Sequence, residues 1–161
     1  MKIRSVANSN RRKSFEVKTS KSAFVLPYSQ VEPQPVVADP IVRLFVDKEL
    51  GREGFTYILK SGKEGTVHIE QVLEYNQDPD YLRDALLYKL TIEAQKRLAA
   101  TPLSKNEIVR RLGTSPSQLA RLLDQTNYRK TVDKLLALLH ILGCDVDLQV
   151  REKTASRSRA A

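Results

Sequence analysis

Residues 101–130 read TPLSKNEIVRRLGTSPSQLARLLDQTNYRK, and the pattern Ser-x-x-Glu/Gln occurs in them twice, either side of one glycine. Ser104 with Glu107 three positions on spells a capping box: the hydroxyl accepts one orphan backbone N–H of a helix start and the carboxylate accepts another. Leu103 and Ile108 stand where a hydrophobic staple would fix the direction of the incoming chain. Ser115 with Gln118 repeats the pattern. Pro116 follows at the first helical position, where its missing N–H is no loss. Gly113, between the two copies, suits the positive φ that closes a helix. The stretch predicts a short helix, a tight turn and a second short helix over about 116–124, a helix-turn-helix in which each junction has a physical cause.

The flanks extend this pattern. Downstream, Thr131 caps TVDKLLALLHILG, which is apolar on nearly every face and so predicts a helix buried on more than one side, with His140 a core or interface residue. Gly143 ends it, and CDVDLQV alternates Val146, Leu148 and Val150 like one final strand. Upstream, Asp78 and Pro79 open a long helix to about Ala100, whose apolar residues Leu82, Leu86, Leu90, Ala94 and Leu98 recur every fourth position. Residues 71–75 form one or two helical turns before it. Residues 41–47, 55–60 and 66–70 are rich in β-branched and aromatic side chains, and SGKEG joins the last two, so they predict a small antiparallel meander with His68 on its solvated face. Residues 1–38 are weakly periodic: short strands are expected at 15–17 and 24–26, and the prolines of SQVEPQPVVADP mark a linker.

The predicted class is α+β, a small antiparallel meander followed by a helical helix-turn-helix bundle and a short C-terminal strand. The expected division is a basic, partly flexible arm and Pro-rich linker at 1–40, a β-rich region at 41–77, the helix-turn-helix domain at 78–150, and a disordered basic tail at 151–161.

The chain has 161 residues, a net charge of +8 and a pI near 9.7. The positive charge is concentrated. Residues 1–22 hold Lys2, Arg4, Arg11, Arg12, Lys13, Lys18 and Lys21 against Glu16 alone, and residues 104–130 hold Lys105, Arg110, Arg111, Arg121, Arg129 and Lys130 against Glu107 and Asp124. The sequence between the two blocks is net acidic. Such a distribution fits a polyanionic partner. Residues 1–22, with few apolar anchors, are expected to act as a flexible electrostatic arm.

No apolar run approaches the roughly 18 residues of a membrane span, and no apolar stretch follows the basic N-terminus as in a secretory signal. The single cysteine, Cys144, sits among leucines and reads as a small buried hydrophobe in a reducing cytoplasm. Two distant histidines and one cysteine make no metal-ligand spacing. There is no nucleophile beside a base and no phosphate-cradling glycine loop; Asp78 and Asp80 fit a helix start. Neither an enzyme nor a cofactor is expected.

From about Tyr81 to Val150 the chain resembles the Cro/repressor (XRE-type) helix-turn-helix family, which includes antitoxins of toxin–antitoxin modules. SKNEIVRRLGTSPSQLARLLDQ, the NYRK loop and TVDKLLALLHILG carry the likeness; Val109 and Leu123 depart from that family's frequent alanine and glutamate. The resemblance implies a helical bundle binding duplex DNA as a homodimer on a palindromic operator. In such a domain the start of the second helix enters the major groove. Ser115, Pro116, Ser117, Gln118 and Arg121 would form the reading edge, Gln118 suited to adenine and Arg121 to guanine or phosphate. Asn127, Tyr128, Arg129 and Lys130 offer donors to phosphates, as do Ser104 and Lys105 at the first helix start. The expected function is a sequence-specific DNA-binding transcriptional regulator, a repressor or an autoregulating antitoxin. The rival is a protein-interaction module, such as an antitoxin neutralising a toxin, with the helix-turn-helix as scaffold.

Overall fold

The computed structural model describes residues 1–152. The basic tail expected at 151–161 lies, from 153 onward, outside the described residues. The chain is α+β: two three-stranded antiparallel sheets and five α-helices, divided into two compact units, Met1–Arg83 and a second beginning at Asp84.

In the first unit the N-terminal residues form strands, and this corrects the flexible arm. β1 (Ile3–Ser9), β2 (Ser14–Thr19) and β3 (Ala23–Pro27) make one sheet in that order. The cause is an alternation hidden under the charge. Ile3, Phe15 and Val17 are fully buried and Phe24 and Leu26 nearly so, while Glu16 and Lys18 lie exposed between them. A strand needs apolar side chains only at every second position, so a basic composition does not prevent one. The register pairs Phe15 with Leu26 and Val17 with Phe24.

The expected meander is the second sheet: β4 (Ile41–Val46), β5 (Gly54–Leu59) and β6 (Glu64–His68). Phe55 and Tyr57 of β5 are fully buried. They meet Phe15 at ring-centroid distances of 4.9 and 5.3 Å, and Phe15 meets Tyr28 at 5.0 Å. Residues 1–40 and 41–77 therefore share one core. The Arg52 guanidinium stitches them further, donating to the carbonyls of Ile3 and Arg4. Gly65 lies opposite Tyr57, where any Cβ would fall inside the Tyr57 ring. The Tyr57 hydroxyl donates to the Pro33 carbonyl at 2.6 Å, and burial pushes its pKa up to about 12. His68 is exposed, as expected, at the N-cap of α1 (Ile69–Tyr75).

α2 (Pro79–Ala100) starts where Asp78 predicts, its carboxylate accepting from the Tyr81 N–H at 3.0 Å. Its buried line is Leu87, Thr91 and Ala94, whereas Leu82 and Leu86 are exposed. The four-residue stripe fails for a geometric reason. At 3.6 residues per turn, a step of four drifts by about 40°, so a row from Leu82 to Leu98 winds to another face. Thr91 is tolerated in the core because its hydroxyl donates to the Leu87 carbonyl at 2.6 Å.

The second unit continues with α3 (Lys105–Leu112), α4 (Pro116–Leu123) and α5 (Val132–Ile141). Ile108, Leu119, Leu122, Leu135, Leu138 and Leu139 form its core with Leu87 and Ala94; Leu103, Val109, Leu123 and Cys144 pack partly buried against it. His140 is exposed, not in this core. Gly143 closes α5 at φ +79, with Gly143 N–H to the His140 carbonyl and Cys144 N–H to the Leu139 carbonyl. The strand expected after it does not form: residues 144–150 have no ladder partner among the described residues, and Leu148 and Val150 are each 85% exposed. Alternation supplies one face of a strand but not the neighbour whose backbone would complete it.

Candidate nucleic-acid interface

Ser104 accepts the Glu107 N–H at 3.2 Å, which sets the start of α3. Only this half of the expected capping box forms. The Glu107 carboxylate turns along the helix and takes Arg110 Nη2 at 2.6 Å, Arg110 Nε at 3.1 Å and Arg111 Nε at 2.9 Å. These bonds, Arg110's first, hold its pKa down to about 2. A carboxylate with two guanidiniums one turn away gains more from charge-assisted bonds than from one backbone N–H. The two arginines thus face their own helix.

Gly113 ends α3 in the left-handed region at φ +66, and Thr114 N–H reaches back to the Val109 carbonyl. Ser115 then accepts the Gln118 N–H at 3.2 Å with Pro116 at the helix start. The far end of α4 is held by three side chains. Asn127 Nδ2 donates to the Arg121 carbonyl at 3.1 Å and Gln95 Nε2 to the Leu123 carbonyl at 2.7 Å. Lys130 Nζ donates to the carbonyls of Leu122 and Asp124 at 2.9 and 2.7 Å. An ammonium here satisfies the orphan Leu122 carbonyl, joins the Asn127 N–H on the Asp124 carbonyl, and opposes the negative end of the helix dipole. Burial lowers the Lys130 pKa and the nearby Asp124 carboxylate partly offsets this. Asp124 in turn folds the loop by accepting from the Thr126 hydroxyl and N–H, which lower its own pKa.

The residues expected at the reading edge all reach solvent. Ser115, Pro116, Ser117, Gln118 and Arg121 are exposed, while Leu119 and Leu122 of the same helix are buried. Gln118 does not cap its helix; its amide and the Arg121 guanidinium have no hydrogen-bond or ion-pair partner among the described residues. A concavity of about 380 Å³ opens beside them, lined by Gln118 and Arg121 together with Arg129 and Lys134. Arg129 is exposed and its guanidinium has no partner among the described residues; Tyr128 is exposed beside it. Ser104 and Lys105 are exposed at the start of α3 and do not line this concavity. Asn127 and Lys130 do line it, but their polar ends serve α4: Asn127 also accepts the Arg129 N–H at 3.1 Å.

Two contributors escaped the sequence reading. Lys134 is the one cation inside the leucine-rich helix, a solvent-facing interruption that could have marked it. Gln95 sits mid-helix in α2, and nothing local ties it to a carbonyl of residue 123. Among the described residues no cluster of histidine, cysteine or carboxylate side chains could hold a metal, and no helix is long and apolar enough to cross a membrane. Compared with known proteins, the chain matches no family model, no curated protein and no solved structure.

Proposed function

We propose that the second unit binds duplex DNA sequence-specifically, with α4 in the major groove, and that the protein is a transcriptional regulator. The observation that carries this is the state of α4. Its two ends are fastened by Ser115, Asn127, Gln95 and Lys130, yet its outward Gln118 and Arg121 are unpartnered among the described residues. A rigid helix with free side chains that can bond a base edge bidentately is what base reading requires, because a fixed helix loses little freedom on contact. The resemblance of residues 81–150 to XRE-type regulators points the same way. Arg129 and Lys134 then serve the phosphates flanking the groove, a role that sets register and salt dependence.

A regulator of this kind reads a palindrome as a pair. The exposed apolar Val146, Leu148 and Val150 support pairing of residues 145–150 with the same segment of a second copy, since an alternating apolar segment with no ladder partner among the described residues offers an edge to another chain. Selection from a pool of random duplexes tests the function. One recurring motif with two half-sites about one helical turn apart supports it; uniform recovery of all sequences refutes specific reading.

A further inference from the structure

We propose that the first unit carries a docking surface for an acidic protein segment bearing an apolar side chain, formed by the tip of the β1–β2 hairpin and the turn at residues 36–39. It is independent of the DNA-binding reading. The tip, residues 10–13, presents Arg11, Arg12 and Lys13, all exposed and all without a side-chain partner among the described residues. By contrast Lys18 pairs with Glu16 and Lys21 with Asp80, each at 3.6 Å. Three adjacent like charges repel, so uncompensated they favour an anionic partner.

The tip is also held still. The Tyr28 hydroxyl donates to Asn10 Oδ1 at 3.0 Å and accepts from Asn8 Nδ2 at 3.1 Å. Tyr28 N–H donates to the Lys13 carbonyl at 2.8 Å, and Lys13 sits at φ +50, where a non-glycine residue is uncommon.

Lys13 shares the lining of a cleft of about 340 Å³ with Pro35, Val36, Val37 and Pro40. Val36 and Asp39 exchange both backbone hydrogen bonds, and Asp39 accepts from the Ser61 N–H and hydroxyl at 2.8 and 2.6 Å. Pinned at that end, the turn holds Val37 94% and Val36 50% exposed. Of the three cations Lys13 lines the cleft itself, with Arg11 and Arg12 on the same pinned turn, so held apolar groups and uncompensated positive charge lie side by side in an amphipathic cleft. A nucleic acid would satisfy the cations but not the valines and prolines, and Tyr28, 4% exposed, offers no ring for a base to stack on. A flat anionic membrane does not enter a cleft. An acidic segment with one apolar side chain matches rim and floor together.

The test uses the full chain and three probes read by fluorescence anisotropy: a glutamate-rich glutamate–tyrosine copolymer, poly-glutamate of equal length, and a generic duplex, with phosphatidylserine vesicles as a fourth, sedimented sample. The copolymer is expected to bind about tenfold more tightly than poly-glutamate. Val37→Asp, at a position too exposed to disturb folding, removes that difference, and the pair Arg11→Ala/Arg12→Ala weakens both polymers. Duplex binding is unchanged by Val37→Asp, which separates this surface from the helix-turn-helix. Equal binding of the two polymers, or a difference that survives Val37→Asp, overturns the proposal. So does a Val37→Asp effect confined to the duplex or the vesicles, which would give the surface to nucleic acid or to membrane.

Discussion

Lys130 donates its ammonium to the carbonyl oxygen of Leu122 at 2.9 Å, eight residues back along the chain. With the second bond to Asp124, this makes Lys130 a clamp on the end of α4. The consequence is measurable against Arg129, its neighbour. Lys130→Ala is expected to cost about 1–2 kcal/mol of stability, since it leaves the Leu122 carbonyl without its donor, while Asp124 keeps the Asn127 N–H. It should weaken binding to every duplex while leaving the salt dependence nearly unchanged. Arg129→Ala should spare stability and lower the slope of log Kobs against log salt by about 0.9, one phosphate contact. Thermal melts together with salt titrations separate the two; a fall in slope for Lys130→Ala would return that residue to the phosphates.

Gly65 provides a test of the first unit's core. Tyr57 is anchored by its hydroxyl to Pro33 and walled in by Phe15, so its ring cannot yield to a new methyl group. Gly65→Ala is therefore expected to destabilise by about 2–3 kcal/mol, an overpacking cost. The checking measurement is a denaturant titration, and a midpoint equal to wild type would show that the sheet shifts freely.

The helix-turn-helix was legible because its signals are local. Ser104, Gly113, Ser115, Pro116 and Gly143 act through bonds within a few residues, and each sits where the pattern puts it. What stayed hidden depends on distance or competition. The short strands expected at 15–17 and 24–26 are the cores of β2 and β3. β1 and the joining of all three into one sheet were masked, because charged side chains occupy the outward positions while the inward Phe15 meets β5, some forty residues away. Glu107 left its capping box because two arginines competed for it, and a motif cannot rank such rivals. The last strand was misread because alternation says which face is apolar and nothing about who pairs with the backbone.

Glu107 also makes stability depend on pH in a defined window. Its folded pKa is held at about 2, below the ordinary 4.5 that it regains on unfolding, so the unfolded chain binds the proton first. The contribution is fully present above about pH 4.5 and is lost as pH falls through about 2. Glu107→Gln lacks it. Melting temperatures of the two proteins should differ at neutral pH and converge toward pH 2; a constant difference across that range would mean the arginine bonds contribute nothing in solution.

The proposed pairing of residues 145–150 is tested by truncation. Light scattering at micromolar concentration should give a dimer for the full chain and a monomer for a chain ending at Gly143. A shortened chain that stays dimeric places the interface elsewhere, and a monomeric full chain removes the pairing altogether.

The most direct measurement on the central claim is a binding titration of the selected duplex with wild type, Arg121→Ala and Gln118→Ala, repeated with each base pair of the half-site changed in turn. Both side chains are exposed and unpartnered among the described residues, so neither substitution should alter folding. Each is expected to lower specific affinity by about 1–3 kcal/mol and to abolish discrimination at its own base pair while preserving it at the others. Intact affinity and intact base preference in Arg121→Ala would contradict the placement of α4 in the major groove.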